Sequence, residues 1–238
     1  MIAEILRKIV AERNLSLDEA ALCAFSTYYD MLKDANSKMN LTRIQGDEDT
    51  AYMHFLDSLS PLFLSELPQG AMCLDIGAGA GFPSIPLAIA RPDLQITMMD
   101  SVGKKVKFLE SLSEIAPNTI PLHTRVEDAA KMPEYREKLD FVFARAVASL
   151  DVLCEYALPF VKVGGTFIAW KGPALEAELA QAKKAIDALG GDAKTAMLSY
   201  SLMGGQYDRR LLLIKKIRHT PSHFPRNPKI IREKPIGG

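Results

Sequence analysis

Three glycines at alternate positions, Gly77, Gly79 and Gly81, stand between an apolar run and a helical run in the stretch Cys73-Leu-Asp-Ile-Gly-Ala-Gly-Ala-Gly-Phe-Pro83. Residues without a Cβ let the backbone take positive φ and let a ligand lie directly against it. Asp75 sits at the end of the apolar run, where open α/β sheets bind their ligands. The chemistry this offers is capture of a nucleotide-like molecule, and an ordinary glycine-rich turn is the competing reading. A dinucleotide loop of the form G-x-G-x-x-G requires a third glycine where this chain has Phe82. The pattern present is Asp-x-Gly-x-Gly-x-Gly.

That pattern is the form used by enzymes that bind S-adenosyl-L-methionine, and other positions extend it. Asp100 closes the next apolar run and can accept from both hydroxyls of a ribose. A helix-capping carboxylate is its plainer role. Glu127, in Thr124-Arg-Val-Glu-Asp128, follows the third apolar run, where an adenine would lie; an acid at a helix start reads equally well. Arg145 ends the fourth run, Phe141-Val-Phe-Ala-Arg, and Lys171 the fifth, so two cations share one sheet edge and suit an anionic substrate. The fourth run lacks the Pro-Pro-aromatic clamp of adenine-N6 chemistry. Cys154 falls inside a helical stretch, which removes the nucleophile that cytosine C5 chemistry needs. No cysteine or histidine pair has metal-ligand spacing.

These residues need a parallel sheet to bring them together, and the hydrophobic pattern supplies one. Short apolar runs alternate with helical ones from Ala71 onward. Strands are predicted at 71–76, 94–99, 119–122, 139–144 and 164–170, with helices near 84–91, 102–116, 149–160 and 174–189. Residues 193–203 and 209–217 then read as a hairpin with no helix between, closing a mostly parallel seven-stranded sheet in antiparallel fashion. Residues 1–67 form a small helical region, with helices at 2–13, from Ser16 to about Lys38, and about 47–64. Ser16 with Glu19 fits a capping box.

Residues 68–218 form the ligand-binding α/β domain, and 219–238 an extended, Pro-rich basic tail. The 238 residues carry 29 basic and 29 acidic side chains. Residues 1–67 hold six basic against eleven acidic groups, whereas from Arg209 onward nine basic groups face Glu233 alone. Such a tail is either a polyanion contact or a solvated segment. No continuous apolar segment suggests a secretory signal or a membrane span, which points to a cytoplasmic protein.

Several separate motifs together resemble the RsmG (GidB) family of bacterial 16S ribosomal RNA guanine-N7 methyltransferases: Asn40-Leu-Thr42, His54-Phe-Leu-Asp-Ser58, Asp75 to Pro83, Asp100-Ser with Lys104-Lys105 and Phe108-Leu109, Arg125-Val-Glu127, Arg145-Ala146 and Lys171-Gly172. The resemblance spans about residues 36–218. It implies a class I (Rossmann-like) methyltransferase fold, S-adenosyl-L-methionine as cofactor and 16S ribosomal RNA of the small ribosomal subunit as partner. It places cofactor contacts on Gly77, Phe82, Val126, Glu127 and Arg145, beside Gly79, Gly81 and Asp100 of the general motif. Two positions depart from the family, Ser84 and Lys229, each standing where glycine is usual.

Guanine N7 carries an in-plane lone pair, so positioning and electrostatics suffice and no general base is expected. Arg145 is expected to contact O6, phosphate or cofactor, because a donor on N7 would occupy the attacking lone pair. Lys104, Lys105, Lys171, Arg209, Arg210 and Arg226 are the expected phosphate contacts. Asn40, Arg43 and His54 are expected on the face between helices and sheet. A monomer without metal or membrane contact is the corresponding expectation. A small-molecule methyltransferase and a non-catalytic binding protein remain the alternatives.

Overall fold

The computed structural model describes residues 1–145, 147–192 and 194–237. The chain opens with α1 (Ile2–Ala11) and α2 (Glu19–Met39). Next come α3 (Asp47–Thr50), a π-helical stretch (Ala51–Leu56) and α4 (Ser60–Leu64). The sheet domain alternates β1 (Met72–Ile76), α5 (Ser84–Ala90), β2 (Gln95–Asp100), α6 (Gly103–Glu110), β3 (Thr119–His123), α7 (Val126–Ala129), β4 (Leu139–Arg145), α8 (Leu150–Ala157), β5 (Val161–Lys171) and α9 (Leu175–Ala188). It ends with β6 (Ala196–Leu202), β7 (Tyr207–Lys215) and α10 (Pro228–Glu233).

The seven strands lie in the order β3-β2-β1-β4-β5-β7-β6. The first five run parallel, and β7 inserts antiparallel between β5 and β6. Each central strand alternates its side chains between two buried faces. Cys73, Phe141 and Phe143 enter the core shared with the N-terminal helices. Leu74, Ile76, Val142 and Ala144 enter the core under α8 and α9. The strand order reverses between β1 and β4, and the crevice at such a switch point is where these sheets take ligands.

Three expectations change. Asp18, not Ser16, caps α2, its carboxylate accepting from the Ala21 amide at 2.7 Å, while Glu19 pairs with Arg7. The helix anticipated at 47–64 widens through the π-helical stretch, which re-aims the side chains after it. The tail is not extended. Phe224, Ile231 and Ile236 pack against the sheet domain, and Asn227 caps α10 through the Lys229 amide. Counting charges in the tail hid these spaced apolar residues, whose burial draws the segment down.

Candidate active site

The glycine loop is tied from several directions. The Gly77 and Ala78 amides both donate to the Met99 carbonyl at 2.9 and 3.0 Å, fastening the loop to the end of β2. The Gly79 amide donates to Asp100 Oδ2 at 3.0 Å, and the Val102 amide to Asp100 Oδ1 at 2.8 Å. Asp100 thus shapes the loop while keeping a lone pair on each oxygen for a ligand. Gly81 has φ +97°, and a Cβ there would lie 2.6 Å from Ile85 Cγ1 and 3.1 Å from the Tyr28 hydroxyl. That hydroxyl, fully buried on α2, donates to the Ala80 carbonyl at 2.6 Å.

Beside the loop opens a cleft of about 360 Å³ that includes Gly77, Asp100, Val102, Val126, Glu127 and Val147 in its lining. Gly77, Asp100, Val126 and Glu127 are therefore brought together as expected. Val102 and Val147 are more than a third exposed there, an apolar surface suited to a flat ring. Beneath the loop, Asp75 is wholly buried: Oδ2 accepts from the Ser84 hydroxyl at 2.7 Å, and Oδ1 has no hydrogen-bond partner among the described residues. Burial pushes its carboxyl up to about 7, against the lowering effect of the Ser84 bonds and Arg145. An orphaned carboxylate oxygen under this glycine loop suits a ligand with an ammonium group. The free lone pairs of Asp100, the exposed valines and the buried Asp75 carboxylate are a set of groups that S-adenosyl-L-methionine would fit.

Arg145 does not line this cleft. It belongs to a neighbouring one of about 350 Å³, with Asp57, Trp170, Lys171, Gly172 and Arg209. Asp57 is the hub. Its carboxylate, only 1% exposed, lies 3.0 Å from the Arg145 guanidinium and 3.5 Å from that of Arg209, and accepts from the Tyr200 hydroxyl at 2.7 Å. The Trp170 indole donates to the Asp57 carbonyl at 2.9 Å. Arg145 also donates to the Met53 carbonyl and to the Ser58 hydroxyl, so the π-helical stretch and the residues after it hold it in place.

His54 lies between the glycine loop and Arg145. Its ring stacks on Phe82 at 4.1 Å between centroids, and Nε2 lies 2.7 Å from the Thr42 hydroxyl. Burial, reinforced by Arg145, lowers its pKa to about 3, so the imidazole is neutral. Phe82 also lies under the Arg145 guanidinium, 5.8 Å from its ring centroid.

The other expected cations divide. Lys104 is exposed, and Lys105 sits in the cofactor cleft, 3.8 Å from Asp100. Lys171 is taken by Glu178 at 2.7 Å and by the Ala148 carbonyl. Arg210 faces Glu176 at 3.9 Å. Arg226 is drawn into a two-pronged ion pair with buried Glu155, so its charge is engaged inside the protein instead of offered to phosphate. Asn40 and Arg43 lie apart, lining a hollow of about 900 Å³ against α2. Cys154 is fully buried with its thiol pKa pushed up by burial. Asp57, Trp170 and Tyr200 escaped the sequence reading. Asp57 stood within the quoted His54-to-Ser58 motif, but nothing local marks a carboxylate that meets partners from three distant strands.

Among solved structures the chain resembles a predicted O-methyltransferase of Agrobacterium tumefaciens, with TM-score 0.51 and 17% identity over 70% of this chain and 81% of that one. It also resembles a variant of the 16S rRNA (adenine(1408)-N(1))-methyltransferase of Catenulisporales acidiphilia, with TM-score 0.51 and 13% identity over 64% and 88%. At such identities these show a shared fold. Sequence relatives are nearer. The ribosomal RNA small subunit methyltransferase G of Lactobacillus johnsonii is 44% identical over 98% of this chain and 99% of its own length. Those of Geobacillus sp. and Bacillus subtilis are 43% and 42% identical, each over 96% of both chains. With the family model for rRNA small subunit methyltransferase G matching residues 22–201 as well, the chain belongs to the GidB family.

Proposed function

We propose that the chain transfers the methyl group of S-adenosyl-L-methionine to N7 of one guanine in 16S ribosomal RNA, acting as a cytoplasmic monomer on the small ribosomal subunit. The observation that carries this reading is the pair of adjoining clefts at one sheet edge. One has the features of a nucleoside site, and the other holds Arg145 and Arg209 around the buried Asp57 carboxylate, with Lys171 beside them. When bound, the cofactor supplies an electrophilic methyl on a sulfonium. Gly77, Asp100, Val126 and Glu127 would hold its adenosine part and Asp75 its amino-acid part.

The second cleft suits a nucleophile that needs no deprotonation. Among the described residues its carboxylate is occupied by Tyr200 and two arginines, and His54 is neutral and buried behind Phe82. Neither is placed to take a proton from substrate. The positively charged edge instead orients an anionic nucleotide, which is where the rate would come from. Arg145, held by Asp57, Met53 and Ser58, meets O6 or phosphate and leaves the N7 lone pair free. The target guanine must come from a non-helical region, because the A-form major groove excludes side chains. No helix among the described residues is long and apolar enough to cross a membrane.

The test is to map N7-methylguanine in 16S ribosomal RNA from cells with and without this chain, alongside transfer of labelled methyl to purified RNA and to small molecules. An unchanged N7-methylguanine map, or label appearing only in small molecules, refutes the proposal.

A further inference from the structure

Three anchors hold the C-terminal segment 219–237 against the sheet domain. The Arg136 guanidinium donates to the carbonyls of Thr220 and Pro221, both at 3.1 Å, and of Phe224 at 2.8 Å. Glu155, itself 1% exposed, accepts from the Arg226 amide at 2.7 Å and from two nitrogens of its guanidinium. Ile231 on α10 is fully buried against Val152 and Tyr156 of α8. These contacts tie the segment down along its length.

What the anchoring positions is Arg232. This residue follows Ile231 and lines the cofactor cleft beside Tyr156, Val126 and Glu127. It is exposed, and among the described residues its guanidinium makes no ion pair or hydrogen bond. A cation is thus held at the cleft rim by a segment pinned at three points, facing a cavity with exposed valines on its lining. A planar guanidinium is favourable against the face of an aromatic ring, more so than an ammonium.

We propose that residues 219–237 form a strap completing the outer wall of the cofactor cleft, and that Arg232 contacts the bound cofactor, its guanidinium covering the purine end. The reading rests on the assignment of this cleft to S-adenosyl-L-methionine. Glu127 lines the same cleft, and its buried carboxylate is available to the exocyclic amine of a purine.

The experiment is calorimetric titration of the full-length chain and its Arg232→Ala and Arg232→Lys variants with S-adenosylhomocysteine, with melting of the ligand-free proteins as a control. Arg232 is exposed, so the ligand-free melting temperature should not move. The expected result is a Kd raised about fivefold to tenfold in Arg232→Ala, with only partial recovery in Arg232→Lys. Unchanged Kd values in both variants overturn the proposal, and a raised KM for RNA alone would then place Arg232 on the substrate side. Failure of the parent chain to bind S-adenosylhomocysteine overturns instead the assignment of the cleft.

Discussion

Asp75→Asn separates the two consequences of one buried carboxylate. Among the described residues Asp75 has one unpaired oxygen, it has no exposure, and burial pushes its pKa up to about 7 against the ordinary 3.8. A carboxyl whose folded-state pKa is raised favours folding in its protonated form. Its penalty is absent below about pH 4, grows as pH rises, and is complete above pH 7. The interval between the two values corresponds to about 4 kcal/mol. An asparagine amide keeps the shape but leaves polar atoms unpaired, at a cost of about 1–3 kcal/mol.

Asp75→Asn should therefore stabilise the ligand-free chain by about 2 kcal/mol at pH 8, with the gain gone by about pH 4. His54 pulls the other way. Its folded pKa of about 3 against 6.5 means that stability is complete above pH 6.5 and declines on acidification, by up to about 5 kcal/mol. The two groups oppose each other in the parent, so the variant should be visibly more acid-labile. Urea unfolding at pH 8, 6 and 5 reads this directly. Ligand binding should show the reverse sign: on the proposed contact between Asp75 and the ammonium group of S-adenosylhomocysteine, binding ionises Asp75, releases protons at pH 6 and is at least tenfold weaker in the variant at pH 8. A stability difference independent of pH, or an undiminished affinity, would refute the reasoning.

Other perturbations test the remaining parts. Arg145→Ala should lower methyl transfer about a hundredfold while changing S-adenosylhomocysteine affinity far less, measured by single-turnover transfer and calorimetry, because Arg145 lies in the second cleft. Gly81→Ala should cost about 1–3 kcal/mol in urea unfolding and weaken cofactor binding, since its Cβ would press on Ile85 and Tyr28 at a positive φ. Glu155→Ala should destabilise by about 3–5 kcal/mol, leaving Arg226 half-buried and uncompensated, as thermal and urea unfolding would show. Replacing Lys104 and Lys105 together should flatten the salt dependence of RNA binding by about two units of slope, read by filter binding across salt concentrations.

Much of the sheet was legible because both signals it rests on are local. Apolar runs such as Phe141-Val-Phe-Ala and glycines 77, 79 and 81 announce strand and loop without reference to anything distant, and all seven strands stand within a few residues of their anticipated places. The hairpin of β6 and β7 was legible for the same reason. What escaped depends on meetings across the chain. Asp57 is a helical carboxylate until β4, β5, β6 and β7 bring Arg145, Trp170, Tyr200 and Arg209 to it. Arg226 looked like a free cation because its partner, Glu155, lies 71 positions earlier. Arg145 was placed correctly at a strand end, yet which of two adjoining clefts it enters is decided by Met53 and Ser58 on another element.

The grip of the helical region on the glycine loop has a thermodynamic consequence. Tyr28 holds the Ala80 carbonyl, and His54 stacks on Phe82, so the loop's conformation is part of the folding energy of the helices. Ligand affinity and helical-region stability are then linked quantities, each changing the other by the same factor. Any partner that altered the packing of residues 47–64 would therefore also alter the loop's grip on the cofactor. Occupancy of the cleft should thus report on the stability of the helical region, and that stability on occupancy, with no moving lid required.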